Sequence, residues 1–159
     1  MPRYEWDESI RRYRDLSTGR LINRGQVLDA VRQRVAWGRD RAATMARSYN
    51  AGAITARQFE RAMRAEIQSS YIGAASAGRG GTSRLVGRIR GGLDRDLAPQ
   101  YAYLRGWRAE LEAGGRALPI RAESYIARSK SAFALNDRGI REGRLMNWRT
   151  TSGNPCAVC

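Results

Sequence analysis

The sequence predicts a mainly α-helical protein: a bundle of four to five helices, or extended helical hairpins, with a non-helical segment at each end. Apolar residues recur at alternating steps of three and four along most of residues 24–145. Clusters of glycine and proline separate these periodic stretches. The pattern divides the chain into an N-terminal arm at 1–23, a helical domain at 24–145 and an irregular C-terminal tail at 146–159.

The N-terminal arm lacks the helical period. Between Tyr4 and Asn23 apolar and polar residues alternate imperfectly, and the turn-forming segment Asp15–Gly19 interrupts them. The arm is therefore predicted to be a short β-hairpin or an extended segment. Because two strands alone are marginally stable in water, we expect the arm to dock either on its own helices or on another subunit.

Two helices are predicted to follow the arm as an antiparallel hairpin. The first has an apolar stripe from Val31 to Tyr49 and ends at Asn50–Gly52, in the manner of a glycine C-cap. The second opens with Thr55–Gln58, which matches a capping box, and should end near Gly78. Its apolar face repeats at steps of four, through Phe59, Met63, Ile67 and Tyr71.

The second half of the helical domain begins after the glycine loop Gly78–Gly81. A short helical piece is predicted over residues 85–89, before Gly91, and a longer helix from Leu93 to Leu111. Pro99 lies inside this helix, and because the apolar steps continue through it, one kinked helix is favoured over a helix that starts there. The last helix is predicted to open at Pro119 and to end at Gly143.

The apolar stripes are interpreted as the core of the domain. Tyr101, Tyr103 and Trp107 are assigned to the core with them, because these residues stand at helical spacing among leucines. A surface on which nucleic-acid bases stack is the alternative interpretation of the three aromatic residues.

The net charge of the chain is +14, from 29 basic and 15 acidic residues, and every basic residue except Lys130 is arginine. GC-rich coding also produces arginine in place of lysine, but it does not remove acidic residues. A charge of this size favours a nucleic acid, in particular DNA, or an acidic protein as a partner. The densest local basic patch surrounds the glycine loop. It is either a site of phosphate contact or an ordinary solvated charged face. We predict phosphate contacts there for Arg79, Arg84, Arg88 and Arg90.

The sequence does not predict an enzyme. The chain has no histidine, which is the commonest general base. The carboxylate pairs Glu60 with Glu66 and Asp94 with Asp96 are flanked by arginines, and we interpret them as salt-bridging residues on solvated faces. We expect no membrane span, because no apolar run approaches about 18 residues. Export by a signal peptide is not expected either, because no apolar run follows Met1-Pro2-Arg3.

The chain ends in a C-x-x-C pair, Cys156 and Cys159, its only cysteines. Because both lie within the last four residues, they provide no disulfide framework for the domain, which fits a reducing cytoplasm. Three interpretations stay open: an inert thiol pair, half of a zinc site, or a redox pair. A tetrahedral zinc site needs about four ligands, so further sequence or a partner would have to supply the rest.

Three passages carry a resemblance to a known family. The segment 12–22, RYRDLSTGRLI, resembles the arm near the start of phage and prophage minor head proteins. The segment 100–104, QYAYL, and the ending with Trp148-Arg149 and NPCAVC are similar to further landmarks of that group. The chain is thus similar to the head morphogenesis family of tailed phages, often called Mu F-like minor capsid proteins.

The resemblance implies a helical virion protein. Members of the family look like proteins carried in few copies inside the procapsid near the portal vertex, where they assist head assembly and DNA packaging or delivery. The implied location is the virion interior, and the host cytoplasm during assembly. The implied partners are the portal protein or the major capsid protein and packaged double-stranded DNA. The arm residues expected to hold such a partner are Arg11, Arg12, Tyr13, Arg14 and Arg20. Cys156 and Cys159 match the family's first C-x-x-C, which in many relatives continues into further cysteine-containing sequence.

Two other classes of function remain as alternatives. One is a basic DNA-binding module of a mobile element, which would need a recognition helix that the sequence does not clearly offer. The other is an enzyme or nuclease fragment.

Overall fold

A computed structural model describes residues 4–7, 9–81 and 88–141 of the chain. The described residues form a mainly helical protein with a small N-terminal sheet, which confirms the predicted fold class. The elements in chain order are β1 (Tyr4–Asp7), β2 (Arg12–Asp15), β3 (Leu21–Ile22), α1 (Arg24–Asn50), α2 (Ala56–Arg79), α3 (Arg88–Glu112), α4 (Pro119–Ala127) and α5 (Ser129–Arg141).

The N-terminal arm is a three-stranded antiparallel sheet with the order β1-β2-β3. The predicted hairpin corresponds to β2 and β3, and β1 is an additional strand. The sheet lies on the helices of its own chain, which was one of the two expected docking surfaces. Tyr13 is 1% exposed and meets the ring of Trp6 edge-on at 4.9 Å. The Trp6 backbone N–H donates a hydrogen bond of 2.7 Å to the carbonyl of Gly80, just beyond α2.

Capping residues set the ends of α1 and α2. Thr55 and Gln58 form the predicted capping box at the start of α2, and Asn23 and Gln26 form a second one at the start of α1. Helix α2 ends one residue after the predicted Gly78, and Gly80 follows in the left-handed conformation with a φ of 80°. These local interactions fix the start of α1 and both ends of α2.

Helix α2 is the central element of the fold and packs against α1, α3 and α5. Its C-terminal half is buried on nearly every side, because residues 73–78 are all glycine, alanine or serine. Small side chains let neighbouring backbones approach closely. The contact between α1 and its neighbours is equally tight at Gly38, where an added β-carbon would lie 2.9 Å from Cγ2 of Ile126.

Helix α3 is one helix with Pro99 inside it, as predicted. The separate short helix predicted before Gly91 is wrong for the one of its apolar residues that the structure describes, Ile89. Ile89 belongs to the first turn of α3, which continues through Gly91 and Gly92. Glycine in a helix costs only about 1 kcal/mol relative to alanine, which burial of Leu93 and Leu97 offsets. Residues 85 and 86 lie outside the described residues.

The single helix predicted after Pro119 is wrong, because the structure divides it at Arg128 into α4 and α5. Serine hydroxyls around the break donate to backbone carbonyls three residues earlier, each at 2.7 Å: Ser124 to Arg121, Ser129 to Ile126 and Ser131 to Arg128. Such bonds compete with the regular helical ladder. The predicted end at Gly143 and the C-terminal tail lie outside the described residues.

Candidate nucleic-acid interface

Helices α2 and α3 run antiparallel and are joined by a row of side-chain contacts. Arg108 Nη1 donates to Glu60 Oε2 at 2.8 Å. The guanidinium carbon of Arg64 lies 4.3 Å from the ring centroid of Tyr101. Because higher numbers on α2 meet lower numbers on α3, these contacts lie in one row along the surface where the two helices meet.

Five arginines line this surface, which we call the α2–α3 seam: Arg57, Arg61, Arg64, Arg105 and Arg108. The three on α2 follow at steps of four and three, so they share one helix face. On α3, Arg105 lies four residues after Tyr101 and three before Arg108, and so shares their face. All five are exposed except Arg108, which is half-buried.

Two carboxylates face the five guanidinium groups of the seam. Glu60 pairs with Arg108, and Glu112 lies 3.6 Å from Arg108 Nε and 3.9 Å from Arg57 Nε. No carboxylate of the described residues pairs with Arg61, Arg64 or Arg105. The seam therefore presents three guanidinium groups whose charge the protein does not match nearby. The spacing of the α2 arginines is visible in the sequence, but sequence reasoning missed the seam because it did not pair α2 with α3.

The phosphate contacts predicted around the glycine loop fall largely outside what the structure describes, so they stay a prediction. Arg79, at the end of α2, is 8% exposed, so little of it is available to a phosphate. Arg88 and Arg90 lie in the first turn of α3. Arg84 lies outside the described residues. Among the described residues, the α2–α3 seam is therefore a better-defined basic surface than the glycine loop.

All four arginines predicted to hold a partner are exposed on the arm. Arg11, Arg12, Arg14 and Arg20 are exposed, and Arg14 Nη2 lies 3.9 Å from Asp7 Oδ2. Tyr13, predicted to contact a partner with them, points inward instead, because alternate residues of a strand face opposite sides of the sheet. Exposed Ile10, Leu16 and Leu21 lie among the arginines.

Of the four carboxylates flanked by arginines, Glu60 and Glu66 form the expected salt bridges, and the surroundings of the four differ. Glu60 is paired with Arg108 at the seam. Glu66 is 4% exposed and lies between Arg34 and Arg41, so its predicted solvated face is wrong. Asp94 is exposed, whereas burial raises the pKa of half-buried Asp96, and the charge of neighbouring Arg95 opposes that shift.

The three aromatic residues of α3 have different positions. Trp107 is 1% exposed, stacks on Tyr125 with ring centroids 6.0 Å apart and meets Phe59 edge-on at 5.0 Å. Tyr101 is half-buried beside the seam. Tyr103 is 63% exposed, so its assignment to the core is wrong.

Neither a metal cluster nor a membrane span is found in the part of the chain that the structure describes. Within residues 4–7, 9–81 and 88–141, no three ligand side chains come close enough to hold a metal ion. No helix there has both the length and the apolar character to cross a bilayer. Cys156 and Cys159, the predicted half-site for zinc, lie outside the described residues.

Comparison of the chain with protein-family models, with curated proteins and with solved structures gave no match. Its function is therefore argued from its own residues.

Proposed function

We propose that the protein is a non-catalytic minor head protein of a tailed phage or prophage. It binds double-stranded DNA inside the head and docks on the portal or major capsid protein during assembly. The resemblance of segment 12–22 and of the chain's ending supports the family, and the net charge of +14 supports a polyanionic partner. The observation that carries the DNA contact is the α2–α3 seam with its three unmatched arginines.

The dimensions of the seam suit the DNA backbone. From Arg57 to Arg64 the seam extends about 10 Å along α2, at about 1.5 Å per residue. Along one strand of duplex DNA the phosphates follow at about 3.4 Å of helix axis, so this length corresponds to about three phosphates of a strand. Arginines on rigid helices contact phosphates without reading bases, which fits a protein that meets packaged DNA of any sequence.

The outer face of the arm suits a protein partner. Exposed Ile10, Leu16 and Leu21 provide apolar area among exposed arginines. Interfaces combine an apolar centre with a polar rim, and arginine is enriched in them. The arm therefore fits an acidic patch with an apolar centre on the portal or capsid protein.

Removal of the unmatched arginines tests the DNA contact. The triple variant Arg61→Ala, Arg64→Ala, Arg105→Ala is expected to bind a duplex of unrelated sequence more weakly. Because each phosphate contact releases counterions, the slope of log affinity against log salt should fall in magnitude by up to about 2.7. Fluorescence anisotropy over a salt series measures both quantities.

A matched control removes three exposed arginines from other elements: Arg20→Ala, Arg47→Ala and Arg116→Ala. This variant has the same net charge as the seam variant, and we expect it to change the slope by less than half as much. Equal changes in the two variants would mean that DNA binds to diffuse charge, and the seam would lose its assigned role.

The place of the protein in a particle is a separate prediction. Quantitative mass spectrometry of particles, purified after induction of a host that carries the gene, should find the protein together with the portal protein. Its absence from particles, combined with binding to one defined DNA site at physiological salt, would instead support the DNA-binding module of a mobile element.

A further inference from the structure

A second concave surface lies on another side of α3. It is a cleft of about 830 Å³ between α3 on one side and α4 with α5 on the other, with Tyr71 of α2 at its floor. The cleft exists because α3 packs mainly on α2, whereas α4 packs on α1 and α5 packs on α2. Ligand pockets in proteins commonly have volumes of about 300–1,000 Å³.

The cleft and the α2–α3 seam are different surfaces. Tyr103 lines the cleft and Arg105 lines the seam. Two residues apart on an α-helix, they point in directions about 160° apart. A ligand in the cleft therefore does not need the seam.

Two guanidinium groups in the cleft have only neutral hydrogen-bond partners among the described residues. Arg128 Nη1 donates to the side-chain oxygen of Gln100 at 3.4 Å. Arg95 Nε donates to the backbone carbonyl of Gly91 at 3.3 Å. Both arginines are exposed, so both can bind an anion without breaking an ion pair.

Arg121, the third arginine of the cleft, is already matched. It donates to both oxygens of Glu110, at 2.6 and 3.3 Å, and its guanidinium carbon lies 4.6 Å from the ring centroid of Trp107. The charge of Arg121 is balanced by Glu110 within the fold. Arg95 and Arg128 are therefore the two arginines of the cleft that can bind a ligand.

The cleft also has an exposed aromatic ring and a half-buried acceptor. Tyr103 is 63% exposed at the rim. Tyr71 and Tyr125 lie deeper, and burial raises the pKa of both phenols, so they stay neutral at physiological pH. The Asp96 carboxyl, also in the lining, can accept hydrogen bonds from a ligand.

These groups together define the chemistry of a ligand. It must carry negative charge for the two arginines, a flat face for Tyr103 and hydrogen-bond donors for Asp96 or Gln100. A nucleotide has all three: a phosphate, a base and the polar edge of that base. In a duplex the bases are stacked and paired and cannot enter a cleft.

We propose that the cleft binds unpaired nucleotides of a single-stranded nucleic acid, with Arg95 and Arg128 on phosphates and a base stacked on Tyr103. Aromatic rings combined with a basic groove are the common means by which proteins bind single strands without sequence preference. The binding is independent of the proposed function, because it requires neither a particle nor the seam.

The test measures binding of a labelled oligothymidylate of about 12 nucleotides by fluorescence anisotropy. Tyr103→Ala should weaken binding about 5- to 150-fold, since stacking contributes about 1–3 kcal/mol per base. Tyr103→Phe should bind like the wild type, because it keeps the ring. The double variant Arg95→Ala, Arg128→Ala should bind more weakly, with a salt slope reduced by up to about 1.4.

The seam variant Arg61→Ala, Arg64→Ala, Arg105→Ala is the control. It should keep most of its affinity for the oligothymidylate, whereas Tyr103→Ala should keep its affinity for duplex DNA. Because Tyr103 is exposed, its replacement leaves the core intact, which far-ultraviolet circular dichroism checks.

Three results would overturn the proposal. The first is wild-type affinity of Tyr103→Ala for the oligothymidylate. The second is displacement of the oligothymidylate by thymidine monophosphate at equal nucleotide concentration, which would indicate a site for a free nucleotide. The third is equal displacement by polyglutamate, which would indicate an unselective anion site or a site for an acidic peptide.

Discussion

Replacement of Glu66 by glutamine is expected to lower the free energy of unfolding by about 3–5 kcal/mol. The Glu66 carboxylate is 4% exposed, with Oε1 2.9 Å from Arg34 Nη2 and Oε2 3.5 Å from Arg41 Nε. Both guanidinium groups also lie against the ring of Trp37, at 4.5 and 4.8 Å from its centroid. Without the carboxylate, Arg34 stays largely buried with no opposite charge, and that uncompensated charge causes the loss.

A double-mutant cycle separates this effect from a loss of packing. Arg34→Met combined with Glu66→Gln leaves neither charge buried, so the double variant should be at least about 1 kcal/mol more stable than the two single losses predict. Glu112→Gln is the control, because Glu112 pairs with arginines at the exposed seam and should cost at most about 1 kcal/mol. Urea denaturation measures the wild type, the two single variants, the double variant and the Glu112→Gln control. A loss at Glu66 no larger than at Glu112 would show that the buried pair does not stabilise the fold.

Replacement of Trp107 by alanine is expected to cost about 3–5 kcal/mol, as truncation of a large buried aromatic side chain commonly does. Trp107 joins three helices, since its ring contacts Phe59 of α2 and Tyr125 of α4. Its removal opens a cavity where these helices meet, and it also removes the surface under the Arg121 guanidinium. For a chain of this length the loss corresponds to a fall in Tm of about 6–20 °C.

Tyr103→Ala, on the same helix, is the control for Trp107→Ala. Because Tyr103 is largely exposed, its truncation should shift Tm by no more than about 2 °C. Differential scanning calorimetry measures both variants. Similar shifts for the two would contradict the assignment of Trp107 to the core.

The features that the sequence predicts correctly are local. The capping box of Thr55 and Gln58 depends on residues three positions apart, and the left-handed Gly80 ends α2 where the glycine loop begins. The apolar stripe through Pro99 also predicts one helix, because burial of that face outweighs one lost backbone donor.

The features that the sequence does not predict depend on distant contacts. Strand β1 forms because Trp6 packs on Tyr13 and bonds to Gly80, which no local pattern indicates. The helix break at Arg128 has no glycine or proline to mark it. The α2–α3 seam and the cleft exist only once α3 has packed on α2, so Tyr103, at helical spacing among leucines, could not be distinguished from its buried neighbours.

The sheet that anchors the arm has a consequence for recognition. Its backbone is already ordered by the bond from Trp6 to Gly80 and by the inward ring of Tyr13. A partner would therefore bind an outer face of the arm that is already ordered, and the association would be close to rigid-body docking. The conformational entropy of the arm is already lost when the chain folds. The heat capacity change on association would therefore reflect the buried contact area alone, with no contribution from folding of the arm on binding.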